Sequence, residues 1–238
     1  AAQVRIGLAA MESWVMRRAL LRLPTKDINK FMVAVLKVLE SVGSDEAGDT
    51  ITSFLAEQTA ETRIWPTDSE MMATLPEAKI YGLITQGRIR VVLSAIEQHL
   101  RDQSSKYEAV PLPAGLELEH IMPQGWRTHW DTDPPMNAEE AAGRDKRVNT
   151  IGNLTLVTKS LNGALSNRPW TDSQAIGLKD GGQPGQGKRS LLDGFSLLVL
   201  NKEILLDHED SWGDNDIVSR SKHLVEAICE IWHRPTVC

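Results

Sequence analysis

The chain has 238 residues, 41% hydrophobic and 24% charged, the balance of an ordinary globular protein, which excludes collagen-like, low-complexity and wholly disordered chains. At this length folding removes roughly 70% of the unfolded surface from water, so a core needs no disulfide or metal staple. The formal net charge is −6, and taken globally this opposes a nucleic-acid partner, which is usually met by a basic patch.

Cysteine use and hydropathy narrow the setting. Cys229 and Cys238 form no CxxC pair, which speaks against a secreted disulfide scaffold or a zinc knuckle and makes a reducing cytoplasm the expected location. No run approaches the ~18 apolar residues of a membrane span, and no charged-then-apolar leader opens the chain. Because Ala1 enters a helical pattern directly, without Met, a piece of a longer protein is expected.

The charge is segregated. Residues 40–77 hold nine acids against Arg63 alone, and residues 207–216 add five acids without a base, whereas residues 5–37 carry seven bases against Glu12 and Asp27. The two acidic stretches are expected to face away from any nucleic acid, or to restrain its binding.

Apolar spacing through Val4, Leu8, Met11, Val15 and Ala19 predicts a helix over 3–22, ended by Pro24. A second amphipathic helix is predicted through Ile28, Phe31, Val35 and Leu39, capped by Thr25 and closed by Gly43. Shorter helices over 49–61 and 68–75 and a longer one over 80–100 complete an all-helical domain assigned to 1–106. From Pro111 the texture changes, and Leu116 to Ile121 alternates as a strand does before Pro123 stops it. A helix over 137–148, a strand over 154–157 and a helix over 159–167 follow. Gly181 to Gly187 reads as a mobile, exposed loop. Helices over 189–206 and 214–233 close a second domain assigned to 107–238. The fold class expected is mainly α, with a ββα unit embedded at about 114–170.

Three residues on that unit carry chemistry: His120 ends the first strand, Asn153 precedes the second, and Asn162 lies nine residues on in the following helix. Hydrolysis of a phosphodiester needs a base for the attacking water and a positive charge for the departing oxygen. A neutral imidazole supplies the first. A hard divalent cation, which keeps several waters and needs few protein oxygens, supplies the second, and Glu119 with Asn162 can provide those oxygens. Asn153 can accept the other imidazole N–H or otherwise fix the ring. Strict alternation sets Glu117 and Glu119 on the face opposite Leu118 and His120, so Glu119 and His120 share one site where the strand end twists or bulges. Arg144, Arg147, Lys159 and Arg168 are candidates for phosphate contacts. Trp126 and Trp130 are expected to hold the unit by packing, and the tryptophans generally to anchor the core rather than stack on bases.

The set Glu119-His120, Asn153 and Asn162 resembles the His-Me finger (HNH, ββα-metal) endonuclease motif in its His-Asn-Asn form. More narrowly, Leu118 to Gln124, Ile151 to Leu156 and Leu161 to Asn167 resemble the nuclease domain at the C-terminus of GmrSD-type and SspE-type modification-dependent restriction proteins. The resemblance implies His120 as general base, Asn153 as its orienter, and Glu119 and Asn162 as protein ligands of Mg²⁺ or Mn²⁺. It also implies a double-stranded DNA substrate and an effector role, as endonuclease or nickase, in bacterial anti-phage restriction that senses DNA modification such as phosphorothioate. A sensing or NTPase domain would precede it or lie on another chain, since no nucleotide-binding loop is present. The alternative from another class is a catalytically silent DNA-binding or protein-interaction module.

Overall fold

A computed structural model describes residues 1–104, 110–131, 134–178 and 185–235. Its chain divides into two compact units, residues 1–75 with 225–238, and residues 76–224. The boundary expected at 106/107 falls inside the second unit, because the helix before it packs on the strands after it. Mainly helical architecture is what the sequence predicts.

The first unit contains α1 (Ala2–Leu20), α2 (Ile28–Leu39), α3 (Ala47–Ala56) and α4 (Asp68–Thr74). Its core is Trp14, Phe31, Val35, Leu55 and Trp65. The apolar stripe predicted for α1 is not its buried face: Val4 and Leu8 are exposed, whereas Gly7, Ala10, Ser13, Trp14 and Arg17 are buried. Small residues decide this, since a Cβ on Gly7 would lie 2.9 Å from Ile51 and 3.5 Å from the Cα of Gly48 on α3. Arg17 is wholly buried and donates to the carbonyls of Trp232, Cys229 and Pro66. Arg18 likewise donates to Glu61, Ile64 and Pro24. Two of the seven bases counted between residues 5 and 37 are therefore internal struts and add nothing to an outward basic surface.

In the second unit residues 80–84 form a turn, not the helix predicted from residue 80. Thr85 caps α5 (Gln86–Asp102) by accepting the Arg88 N–H. Strands β1 (Glu117–His120) and β2 (Leu154–Val157) pair antiparallel, Glu117 opposite Val157 and His120 opposite Leu154. Between them lies α6 (Ala138–Arg147), with a full capping box on Asn137. Helix α7 (Lys159–Leu165) follows β2 directly, capped by Thr158.

The single helix predicted over 189–206 is two, α8 (Lys188–Phe195) and α9 (Val199–Asp207). Glu97 of α5 makes the break: its buried carboxylate accepts the N–H groups of Val199 and Leu200 at 3.1 and 2.8 Å. A carboxylate at a helix N-terminus satisfies donors that otherwise have no partner. Of the glycine-rich loop, residues 181–184 lie outside the described residues. Its end is packed, not mobile: Gly187 is buried, donates to Asp172, and would set a Cβ 2.4 Å from the Trp170 carbonyl.

Helix α10 (Asp214–Ile231) starts in the second unit and ends in the first. Its first turns hold the β2 end of the hairpin. Ser221 Oγ accepts the Gly152 N–H at 3.0 Å, and Arg220 donates to the carbonyls of Gly152 and Leu154. A Cβ on Gly152 would lie 2.1 Å from the Ile217 carbonyl oxygen and 2.6 Å from the Ser221 nitrogen, both backbone. Gly152→Ala is accordingly expected to destabilise the protein by about 3 kcal/mol, read as a lowered midpoint in denaturant unfolding.

Candidate active site

The two strands have four residues each, too short to stand alone, so the geometry around His120 is set by what packs on them. The Asn153 side chain does most of this. It is fully buried, its Oδ1 accepts the Met122 N–H at 2.9 Å and Trp212 Nε1–H at 3.2 Å, and its Nδ2 donates to the Met122 and Val148 carbonyls. All four positions an amide offers are taken. The direct bond from Asn153 to the imidazole is therefore absent, and Asn153 instead locks the backbone two residues beyond His120.

The ring meets other residues. Tyr81 packs edge-on against it, with centroids 4.5 Å apart and planes at 77°. The Asn149 side chain lies beside it and favours its protonated form, while the Asn149 carbonyl accepts the N–H groups of Ile80 and Tyr81. Nε2 is buried and has no hydrogen-bond partner among the described residues. Burial, reinforced by the nearby Lys188 charge and only partly offset by Asn149, pushes the imidazole down to about 4. The ring is thus neutral at physiological pH.

Glu119 leaves on the opposite face and meets Lys188 of α8. This lysine is completely buried, forms an ion pair with Glu119, and donates to the His120 carbonyl at 2.7 Å. Burial raises the Glu119 carboxyl and lowers the Lys188 ammonium, and each charge opposes the shift of the other. Lys188 reaches this place because Gly187 allows the chain to run against residues 169–171, where the Lys188 and Arg189 N–H groups bond the Pro169 and Trp170 carbonyls.

Asn162 of α7 donates to Glu117 at 2.8 Å. The carboxylate beside Asn162 is thus Glu117, on the same strand face as Glu119, whose own charge is met by Lys188. Among the described residues no three His, Cys, Asp or Glu side chains converge to enclose a metal. A hard cation that retains its waters needs fewer protein oxygens, and Glu117 with Asn162, both part-exposed, form a pair of that type. The expectation that Glu119 serves with Asn162 does not suit an acid already paired to a buried lysine.

The four expected phosphate-contacting bases separate. Arg144 is buried, bonds Asp214 at 2.9 and 2.6 Å and the Trp130 carbonyl at 2.8 Å, and lies over the Trp126 ring. Arg168 is buried and donates to the Gln186 carbonyl. Both are corrected to structural roles. Arg147 is one-third exposed and paired with Asp214, and Lys159 is exposed on the first turn of α7. Arg90 of α5, which the sequence does not single out, lines a shallow pocket of about 430 Å³ with Ser94, Pro113, Gly115, Leu116 and Glu117. Its signal was an unpaired-looking base on a helix, which spacing alone does not single out.

The tryptophans are core anchors, as expected. The indole N–H groups of Trp126, Trp130, Trp170 and Trp212 donate to Asp145, Arg168, His208 and Asn153 respectively.

Residues 65–227 match the GmrSD restriction endonucleases, C-terminal domain, and the chain belongs to that family. Its substrate class is accordingly DNA. Comparison with curated proteins finds no match. Among the described residues no helix is long and apolar enough to cross a membrane.

The depressed imidazole has a stability consequence. An unfolded histidine takes its proton near pH 6.5, the folded ring only near 4, so this contribution is complete above 6.5 and lost as pH falls towards 4. The loss is about 3 kcal/mol. Denaturant unfolding between pH 7 and 4 is expected to show it in the native protein and to lack it in His120→Asn.

Proposed function

We propose that this chain is a metal-dependent DNA endonuclease or nickase in which β1, β2 and α7 form a His-Me finger. The observation that carries this reading is His120: neutral, fixed at the end of β1, with Nε2 buried and unbonded. An unsatisfied buried polar atom costs about 1–3 kcal/mol, and such a cost is tolerated where a group has work to do.

His120 Nε2 accepts the proton of the attacking water as the water's oxygen joins phosphorus. Tyr81 packs on the ring, and Asn153 fixes the turn beyond it. Glu117 and Asn162 would hold Mg²⁺ or Mn²⁺, which would supply positive charge for the departing 3′ oxygen. Lys159 and Arg90, with the exposed side of Arg147, meet backbone phosphates, and Lys188 holds Glu119 and the His120 carbonyl so that the strand end keeps its shape. The biological setting we infer is the effector part of a bacterial defence protein that restricts modified DNA, its sensing or NTPase domain supplied elsewhere, in the cytoplasm.

The purified protein is expected to nick or cut plasmid with Mg²⁺ or Mn²⁺, leaving 3′-hydroxyl and 5′-phosphate ends. His120→Ala should lower the rate by about 10²-fold or more with the circular dichroism spectrum unchanged, and cleavage undiminished in that variant overturns the proposal. Glu117→Ala and Asn162→Ala should each raise the metal concentration that gives half-maximal cleavage.

DNA binding supplies a separate check. Lys159→Ala should weaken binding similarly for all sequences and reduce the salt slope by about 1, measured by fluorescence anisotropy. Lys188 seated on Glu119 is the observation that favours the second reading, a silent DNA-binding module. That reading is chosen if DNA is bound at low salt and left intact across divalent metals.

A further inference from the structure

Helix α1 carries two packing faces where a surface helix needs one. Its inner face, with Gly7, Ala10, Trp14 and Arg17, is buried in the first unit. The other is the row Val4, Leu8, Met11 and Val15, whose steps of four, three and four residues keep it within a sector of about 60° at about 100° per residue. Val4 is 64% exposed, Leu8 65% and Val15 47%, and Met11 is half-buried. Single exposed apolar residues need no explanation, whereas a continuous row along about three turns marks a surface that another element covers.

Two properties of the row identify what covers it. Alternating three- and four-residue steps are the spacing at which two helices mesh side by side, each knob entering a hole of the facing helix. Val4 and Met11 take one of the two core positions of that repeat, and Leu8 and Val15 take the other. The flanks of the row are the second property, because they differ. On one side lie Gly7 and Trp14, which turn into the first unit, and on the other lie Arg5 and Glu12, both exposed and of opposite charge. Glu12 spends Oε1 on the Trp232 indole N–H at 3.1 Å, which holds its carboxylate beside the row.

A copy of α1 laid parallel would bring the charged flank against its partner's Gly7 and Trp14, which already serve their own core. Laid antiparallel about a two-fold axis, like flanks meet. Leu8 then faces Met11 of the second copy, Val4 faces Val15, and Arg5 comes opposite Glu12, once on each side of the axis. The surface is complementary in charge to itself only in this orientation.

We propose that two copies of this chain associate through α1 as an antiparallel two-fold dimer, the rows interlocking and Arg5 of each copy pairing with Glu12 of the other. Burial of the row supplies the attraction, and the two charge pairs set the orientation. The contact lies wholly in the first unit and does not rest on the chemistry assigned to His120. A seam of two short rows is at the small end of specific interfaces, so the dimer dissociates on dilution.

Analytical ultracentrifugation of the whole protein over a wide concentration range at low salt tests this. The mass is expected to rise with concentration from 26.4 kDa towards twice that value. Leu8→Asp should stay monomeric throughout, with the circular dichroism spectrum of the native protein. Arg5→Glu and Glu12→Arg should each weaken association by about tenfold or more, since each sets like charges opposite one another. An equal mixture of these two variants should associate more tightly than either alone, and the chain carrying both exchanges should recover native behaviour. A native protein that is monomeric at every concentration overturns the proposal, the row then serving a different partner. A dimer that persists in Leu8→Asp overturns it as well, and so does a mixture no tighter than its components. If Glu12→Arg fails to fold through loss of its bond to Trp232, the native mass and Leu8→Asp still decide.

Discussion

The side chain of Asn153 joins three parts of the second unit through one amide. It clamps the backbone of Met122, just after β1, to the Val148 carbonyl at the end of α6, and it receives the indole N–H of Trp212 from the approach to α10. A two-stranded sheet of this length has almost no stability of its own, and buried amide groups are costly unless every position is bonded. Full satisfaction of Asn153 therefore fixes where β1 ends, and with it where the His120 ring begins. Gly152 beside it lets α10 approach so closely that Ser221 and Arg220 can hold the same turn from the other side.

Charge is organised by the same logic of burial. Counted along the chain, the acids of 207–216 and the bases of 144–147 belong to separate stretches, and the first is expected to repel DNA while the second attracts it. In the folded unit Asp214 takes both Arg144 and Arg147, so one acid and much of two bases cancel internally. Lys188 and Glu119 cancel in the same way beneath the strand. Removing one member of a buried pair is costly because the other charge stays without compensation, which makes these residues parts of the scaffold. The basic charge left at the surface is smaller than the sequence count implies, and Lys159 and Arg90, the residues proposed to meet phosphates, are among those whose charges are not spent inside the protein.

The elements that were legible are those governed by local rules. The helices begin close to Asn137 and Lys159 as predicted, Pro123 follows the strand, and the β-branched run at 154–157 is a strand, whereas Thr25 does not cap α2, which starts after Asp27. Misreadings came where a distant residue intervened. The predicted helix over 189–206 breaks because Glu97, a hundred positions earlier, captures the N–H groups that open α9. The apolar stripe of α1 faces outward because glycine on α1 and glycine on α3 allow the close approach on another side. Neither effect has any trace in the periodicity of the segment concerned.

For the site, the sequence by itself determined the residues in play: a strand-ending histidine, two asparagines at motif spacing, and membership of the restriction endonuclease C-terminal family, which the match over 65–227 shows. Tertiary structure alone decided which of those groups meet. It set Glu117, not Glu119, beside Asn162, gave Glu119 to Lys188, and put Tyr81 against the imidazole, with Asn149 beside it, in place of Asn153. The physical reason is that spacing fixes the face a side chain leaves from, whereas a buried polar atom is assigned its partner by whatever else is buried with it, and Lys188, Asn149 and Tyr81 come from segments 29 to 68 residues away from His120.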